Sequence, residues 1–220
     1  MSPPPPRRLE MFFDCSSPWT YLAFHRVQAV IAETGCAIAW RPILVGGVFN
    51  AVNRGLYEHR ARMTAALGNA AGPAEASGAA RKARYYVKDL ADWARFCGLR
   101  IGQPAVFPVN SVRAMRACFV AERHGRLTEW VRAIFETYWG ELEDISQREV
   151  LAGVALRLGL EPEALLGEIE EPACKARLRG NTDELIARGG FGSPTFFVDG
   201  SDMYFGNDRL DLVLAALARP

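Results

Sequence analysis

An apolar run from Leu9 to Phe13 meets Asp14, Cys15, Ser16 and Ser17, then a proline, and from Trp19 onward apolar residues recur at helical spacing. A strand that passes directly into a helix across a single proline leaves the chain few places to go, because the helix must fold back over the sheet its own strand joins. Ser17 takes the N-cap and Pro18 the first helical position, where its missing N–H removes no hydrogen bond. Free backbone N–H groups and the positive end of the helix dipole then meet beside the Ser17 hydroxyl, a setting that suits an anion such as a thiolate. A cap that serves only its helix explains the same residues, so the stretch alone leaves both readings open.

The helix face reads Tyr21, Leu22, Phe24, Val27, Val30 and Ile31, and Gly35 ends it. Cys36 to Pro42 alternates and stops at a proline, which predicts a second strand. Strand, helix and strand so joined make a right-handed βαβ unit with parallel strands. Near the other end, Thr182 to Arg188 reads as a helix closed by Gly189-Gly190. Pro194 to Val198 and Met203 to Phe205 then form a hairpin across Asp199-Gly200, and Asn207-Asp208 cap a last helix from Arg209 to Ala218.

Between these ends, Ile43 onward with Gly46-Gly47 and Asn50 to Gly55 reads as a loop, and Gly68 to Gly78, rich in Ala, Gly and Pro, as a lid or linker. Helical spacing returns at Lys82 to Cys97, Val112 to Arg123, Leu127 to Trp139 and Arg148 to Leu158. Ile101 to Asn110 forms a connection, Ser146-Gln147-Arg148-Glu149 matches a capping box, and Pro162 and Pro172 mark further helix starts. The expected fold is α/β: a thioredoxin-like fold (βαβ … αββα) with a helical domain inserted in its middle. Residues 1–8 are a disordered proline-rich tail, 9–53 and 182–220 the thioredoxin-like part, and 54–181 the insertion.

With 26 basic and 25 acidic residues and no basic stripe interleaved with aromatics, the chain is not built for nucleic acid. No apolar run approaches membrane-spanning length and the first residues lack the apolar core of a secretory signal. Five cysteines, an odd number with no C-x-x-C pair, point to free thiols in a reducing compartment, so a cytoplasmic protein is expected. His25, His59 and His124 lack metal-ligand spacing, and no metal is expected. Cys15, the only thiol close to Ser17 in sequence, reads as a small core residue at a strand end.

Three motifs carry a family resemblance: Phe13-Asp14-x-x-Ser17-Pro18-Trp19-x-Tyr21-Leu22, Phe191-Gly192-Ser193-Pro194-Thr195, and Phe205-Gly206-Asn207-Asp208-Arg209-Leu210. With Lys88-Asp89-Leu90-x-x-Trp93-Ala94 and Phe107-Pro108-x-Asn110, the chain from Leu9 to Ala218 resembles the 2-hydroxychromene-2-carboxylate isomerases and their relatives, the kappa-class glutathione transferases. It departs from them at Arg54 to Ala80, which is longer than their pattern.

The resemblance implies a glutathione cofactor, a small aromatic or chromene-like substrate and a homodimer. It makes Ser17 the catalytic residue, donating a hydrogen bond to the glutathione sulfur. Ser193-Pro194 would be a cis-proline pair turning the Ser193 backbone to the cysteinyl part of the tripeptide, and Asn207 and Asp208 would grip its γ-glutamyl end. As a plain helix cap, Asn207-Asp208 would need no ligand. Asn53 matches a further glutathione contact, and Trp19, Asn110 and Arg113 fall on the substrate side. Arg113 and Arg116 suit an organic carboxylate, although a solvated helix face would also explain them.

The implied activity is glutathione-dependent isomerisation of 2-hydroxychromene-2-carboxylate to trans-o-hydroxybenzylidenepyruvate in aromatic catabolism, the alternative being a kappa-class-like transferase or peroxidase. A DsbA-like disulfide oxidoreductase is disfavoured: Ser17-Pro18-Trp19-Thr20 stands where a C-P-x-C pair would, with both sulfurs replaced.

Overall fold

The structure, a computed structural model, describes residues 7–52 and 78–219. Its four-stranded sheet has the order β2-β1-β3-β4, built from β1 (Arg8–Phe13), β2 (Ala37–Pro42), β3 (Thr195–Val198) and β4 (Asp202–Phe205). The pairing is parallel between β1 and β2, with Arg8 opposite Ala37 and Phe13 opposite Pro42. It is antiparallel between β1 and β3, with Leu9 opposite Val198, and between β3 and β4, with Thr195 opposite Phe205. The expected βαβ start and closing hairpin are therefore present, and together they make the thioredoxin-like fold.

The helices are α1 (Pro18–Thr34), α2 (Val45–Val52), α3 (Gly78–Cys97), α4 (Val112–Arg123), α5 (Leu127–Phe135), α6 (Arg148–Arg157), α7 (Pro162–Glu168), α8 (Pro172–Ala187) and α9 (Leu210–Leu217). A π-helical turn, Glu136–Gly140, extends α5, and a 3₁₀ turn, Asn207–Arg209, precedes α9.

Strand alternation sorts the core into two layers. Leu9, Met11 and Phe13 of β1 join Phe196 and Val198 of β3 in the large core that includes Phe24 and Val27 of α1 and the apolar faces of α4 to α8. Phe12 and Phe197 point the other way, meet edge-on at 5.7 Å, and pack with Ile43, Val48 and Leu185 under α2 and α8. On that second face Glu10 binds Arg41 (3.0 Å) and Arg188 (2.6 Å), and the Arg188 guanidinium lies 3.8 Å from the centre of the Phe197 ring. Burial alone would push the Glu10 carboxyl up, but bonds from Arg188 and Arg41 outweigh it and hold the group below the usual range.

Several local expectations change. Arg8, the last residue of the expected tail, is the first of β1; its N–H donates to Asp199 Oδ1 and its carbonyl accepts the Asp199 N–H. Gly46-Gly47 belongs to α2, not to a loop. Val45, Val48 and Phe49 bury one face of that helix, and the Asp14 carboxylate accepts the Val45 N–H at its start (2.8 Å), so tertiary contacts supply what two glycines withhold. A side chain at position 47 would also meet the Thr182 methyl at 3.3 Å, so the glycine lets α2 approach α8.

The helical residues from Thr182 are the last part of α8, which runs unbroken through that position. It is docked by Asn181 Nδ2 donating to the Pro42 carbonyl and by the Thr182 hydroxyl accepting the Leu44 N–H. The cap of α6 is Gln147 rather than Ser146, because the Asp144 carboxylate takes the Ser146 N–H and the Gln147 amide in a turn of its own. Asn207-Asp208 does not cap the last helix through a side chain: the two residues open the 3₁₀ turn, and the Asn207 oxygens go to Arg26. The Arg54 to Ala80 departure lies outside the described residues, apart from Gly78, Ala79 and Ala80, which begin α3.

Candidate functional site

Ser17 has the extended conformation of an N-cap (φ −109°, ψ 123°), and its carbonyl accepts the N–H groups of Thr20 and Tyr21. Its hydroxyl oxygen accepts the Thr20 N–H at 3.4 Å, a long bond, and no described residue takes the hydroxyl proton. The first turn of α1 contains no acidic residue, so no side chain of that turn neutralises the positive end of its dipole.

The three peptide units that lead into Ser17 are each bonded at both ends. In the first, the Phe13 carbonyl accepts the Ile43 N–H (3.0 Å) and the Asp14 N–H donates to Ser193 Oγ (3.0 Å). In the second, the Asp14 carbonyl accepts the Ser17 N–H (3.3 Å) and the Cys15 N–H points at Met115 Sδ (3.5 Å). In the third, the Cys15 carbonyl accepts the Trp139 indole N–H (2.9 Å) and the Ser16 N–H donates to Asp14 Oδ1 (2.9 Å). Two of these six partners, Met115 and Trp139, come from α4 and the π-helical turn. Helices and sheet thus jointly fix where Ser17 stands.

Asp14 is the centre of this arrangement. Its carboxylate is buried, has no ion pair among the described residues and accepts bonds from Ser16, Val45 and Ser111; burial pushes the carboxyl up against the pull of those bonds. Cys15 is 1% exposed, and burial, then the Asp14 charge, drives its thiol well above its ordinary value, so it is a protonated core residue.

The cis Ser193-Pro194 peptide faces this turn. The Ser193 hydroxyl accepts the Asp14 N–H and lies 2.8 Å from the Thr20 hydroxyl, which commits the side chain to the scaffold. Its backbone N–H and C=O have no partner among the described residues. The Pro194 carbonyl accepts the Gly206 N–H (3.1 Å), and this bond sets the Asn207-Asp208 turn directly beside the cis-proline loop. Gly206 has φ 102° and ψ 157°, and a Cβ there would lie 2.6 Å from Asp208 Oδ1. Asn207 is buried, whereas the Asp208 side chain is half exposed and pairs with Arg209 at 2.5 Å.

Ser17, Ser193, Pro194, Asn207 and Asp208, which are scattered in sequence, therefore meet through Thr20 and Gly206. Trp19 is half-buried and meets the Tyr86 ring edge-on at 5.3 Å. Asn110 is exposed and its Oδ1 accepts the Val112 N–H, while the adjacent Ser111 reaches Asp14. Arg113 lies 3.6 Å from Glu170 and donates to the Ser146 carbonyl, and Arg116 also binds Glu170, so both tie helices together. His25 is exposed on α1. Asn53 lies outside the described residues.

Thr20 and Asp14 are the site residues that sequence reasoning left without roles. Each stood inside a quoted motif, Thr20 in the last position of Ser17-Pro18-Trp19-Thr20. Among the described residues no group of three or more His, Cys, Asp or Glu could hold a metal ion, and no helix is long and apolar enough to cross a membrane.

A parallel βαβ unit, a closing hairpin, a helix start and a cis-proline loop that face one another define a thioredoxin-type protein, here with serine and threonine at the ends of the motif that redox members fill with cysteine. The chain belongs to the DSBA-like thioredoxin domain family, whose model matches residues 8–218. It is 28% identical to a 2-hydroxychromene-2-carboxylate isomerase of Sphingobium xenophagum over 213 residues, 94% of this chain and 96% of that one. It is 25% identical to glutathione S-transferase kappa 1 of Rattus norvegicus over 224 residues, 96% of this chain and 90% of that one. A solved 2-hydroxychromene-2-carboxylate isomerase superposes with a TM-score of 0.73 at 28% identity, covering 96% of this chain and 95% of that one.

Proposed function

We propose that the protein is a glutathione-dependent isomerase acting on a 2-hydroxychromene-2-carboxylate-like substrate in aromatic catabolism, as a cytoplasmic homodimer. The observation that carries this reading is that, among the described residues, the Ser17 hydroxyl proton at a helix start without acidic residues and the N–H and C=O of Ser193 have no partner. These groups fit the tripeptide chemically. Ser17 donates to a sulfur anion, Ser193 pairs with the cysteinyl backbone as a strand neighbour would, and the N–H groups of Asn207 and Asp208 receive a carboxylate while the Asp208 side chain receives an ammonium. Ser17, Ser193, Asn207 and Asp208 would hold glutathione, which would supply a thiolate nucleophile for reversible covalent catalysis of the substrate's ring opening and double-bond isomerisation.

The protein's part is electrostatic and positional. The Ser17 hydroxyl and the α1 dipole favour the sulfur as an anion, and because the three preceding peptide units are already bonded, little reorganisation accompanies that task. The substrate's own carboxylate keeps Trp19, Asn110 and Arg113 as candidate contacts, Arg113 on the condition that it leaves Glu170.

Ser17→Ala should lower glutathione-dependent isomerisation, followed by absorbance, by about 10²-fold, the scale for loss of one preorganised donor. Equal turnover in the variant would remove the role assigned to Ser17. Conjugation or peroxide reduction remains the second reading because of the kappa-class likeness; both use the same thiolate, and parallel assays with an electrophile and a hydroperoxide separate them from isomerisation.

A further inference from the structure

Arg26 lies on α1 beyond Ser17, with its side chain only 17% exposed. Its Nη1 donates to both oxygens of Asn207, the backbone carbonyl at 2.5 Å and Oδ1 at 3.0 Å. The guanidinium lies 4.6 Å from the centre of the Trp93 ring on α3. Among the described residues the carboxylate that approaches it, Asp211, stands 3.7 Å away with its side chain 90% exposed, so there a mostly buried cation meets a solvated anion. One side chain thus joins α1, α3 and the 3₁₀ turn at the place where that turn meets the cis-proline loop.

Because arginine has donors and no acceptor, the Asn207 amide must present its oxygen to Arg26, and this fixes the Asn207 Nδ2 on the opposite side. With both of its oxygens turned to Arg26, Asn207 has its donors, the backbone N–H and the amide nitrogen, left to offer a ligand. The Asp208 N–H at the start of the same turn adds a third, and the Arg26 charge lies behind them. These donors suit an acceptor-only, negatively charged group, beside the Asp208 carboxylate that pairs with Arg209 and faces the ammonium of the same ligand end.

We propose that Arg26 is a positioning residue for the γ-glutamyl carboxylate of glutathione. It holds Asn207 with donors available and adds positive potential at that end of the site. The proposal rests on the glutathione reading above.

The test is calorimetric titration of the full chain with glutathione and with cysteinylglycine, which keeps the thiol and the glycine but lacks the γ-glutamyl group. Arg26→Ala should weaken glutathione binding by about tenfold, the scale of hydrogen bonds to a charged group. Arg26→Lys keeps the charge and the apolar stem but not the fork, and should weaken binding by about threefold, which holds the question open to measurement if the alanine variant fails to fold. Cysteinylglycine should bind wild type and both variants alike. Unchanged glutathione affinity in the variants, or equal weakening for both ligands, overturns the proposal. A wild type that binds neither ligand overturns the glutathione reading itself, and the role of Arg26 falls with it.

Discussion

At the scale of single residues, the site depends on positions whose chemistry is consumed internally. The Ser193 hydroxyl is taken by Asp14 and Thr20, which leaves its backbone, the part that the resemblance implies, for any tripeptide. Gly206 is the residue where backbone geometry leaves least choice: φ 102° with ψ 157° is a conformation essentially confined to glycine, and an added Cβ would meet Asp208 Oδ1 at 2.6 Å. Gly206→Ala should therefore destabilise the fold by about 1–3 kcal/mol in a urea titration and weaken glutathione binding, because the strain falls on the bond that holds the Asn207 turn to Pro194. A variant with unchanged midpoint and unchanged affinity would show that the turn tolerates another backbone path. None of this was legible from Gly206 itself. The motif Phe205-Gly206-Asn207-Asp208 marked the place, but only the dihedral angles say why the glycine is there.

At the scale of elements, the helices contribute more than a wall for a pocket. The π-helical turn at Glu136–Gly140 closes with the Glu141 N–H on the Glu136 carbonyl (2.8 Å), one residue more than an α-helix allows, and brings the Trp139 indole to the Cys15 carbonyl. Trp139→Phe keeps an aromatic ring in the core and removes that one donor. The expected result is a loss of about 1 kcal/mol in stability, with a lower kcat and an unchanged KM for glutathione, since the bond fixes the approach to Ser17 and touches no ligand. Equal kcat in variant and wild type would mean that the remaining bonds along residues 13–16 suffice. The elements themselves were mostly readable. β1, α1 and β2 follow from period and punctuation, because Ser17, Gly35 and Pro42 lie where local chemistry alone sets the boundaries. α2 was not readable: Gly46-Gly47 reads as a loop, and burial of Val45, Val48 and Phe49 together with the Asp14 carboxylate on the Val45 N–H, contacts with distant segments, make it a helix. The π turn left no trace in the spacing of Leu127 to Trp139, since one extra residue shifts the apolar face too little to break the pattern.

At the scale of the whole molecule, β1 is the common support. One of its faces carries α1 and the helical core, the other carries the Glu10, Arg41 and Arg188 cluster under α2 and α8, and its end delivers Asp14 to the centre of the site. The convergence of residues near 17, 193 and 207 was legible through the three motifs taken together, while the direct links, Thr20 to Ser193 and Gly206 to Pro194, needed coordinates. On the proposed function this assembly, through Ser17, holds glutathione as its thiolate. Ultraviolet titration of the thiolate absorbance of bound glutathione measures that directly. Wild type should depress the bound thiol below the value of about 8.5 typical of a free one, and Ser17→Ala should return it most of the way. Identical titration of glutathione on wild type and on Ser17→Ala would contradict it.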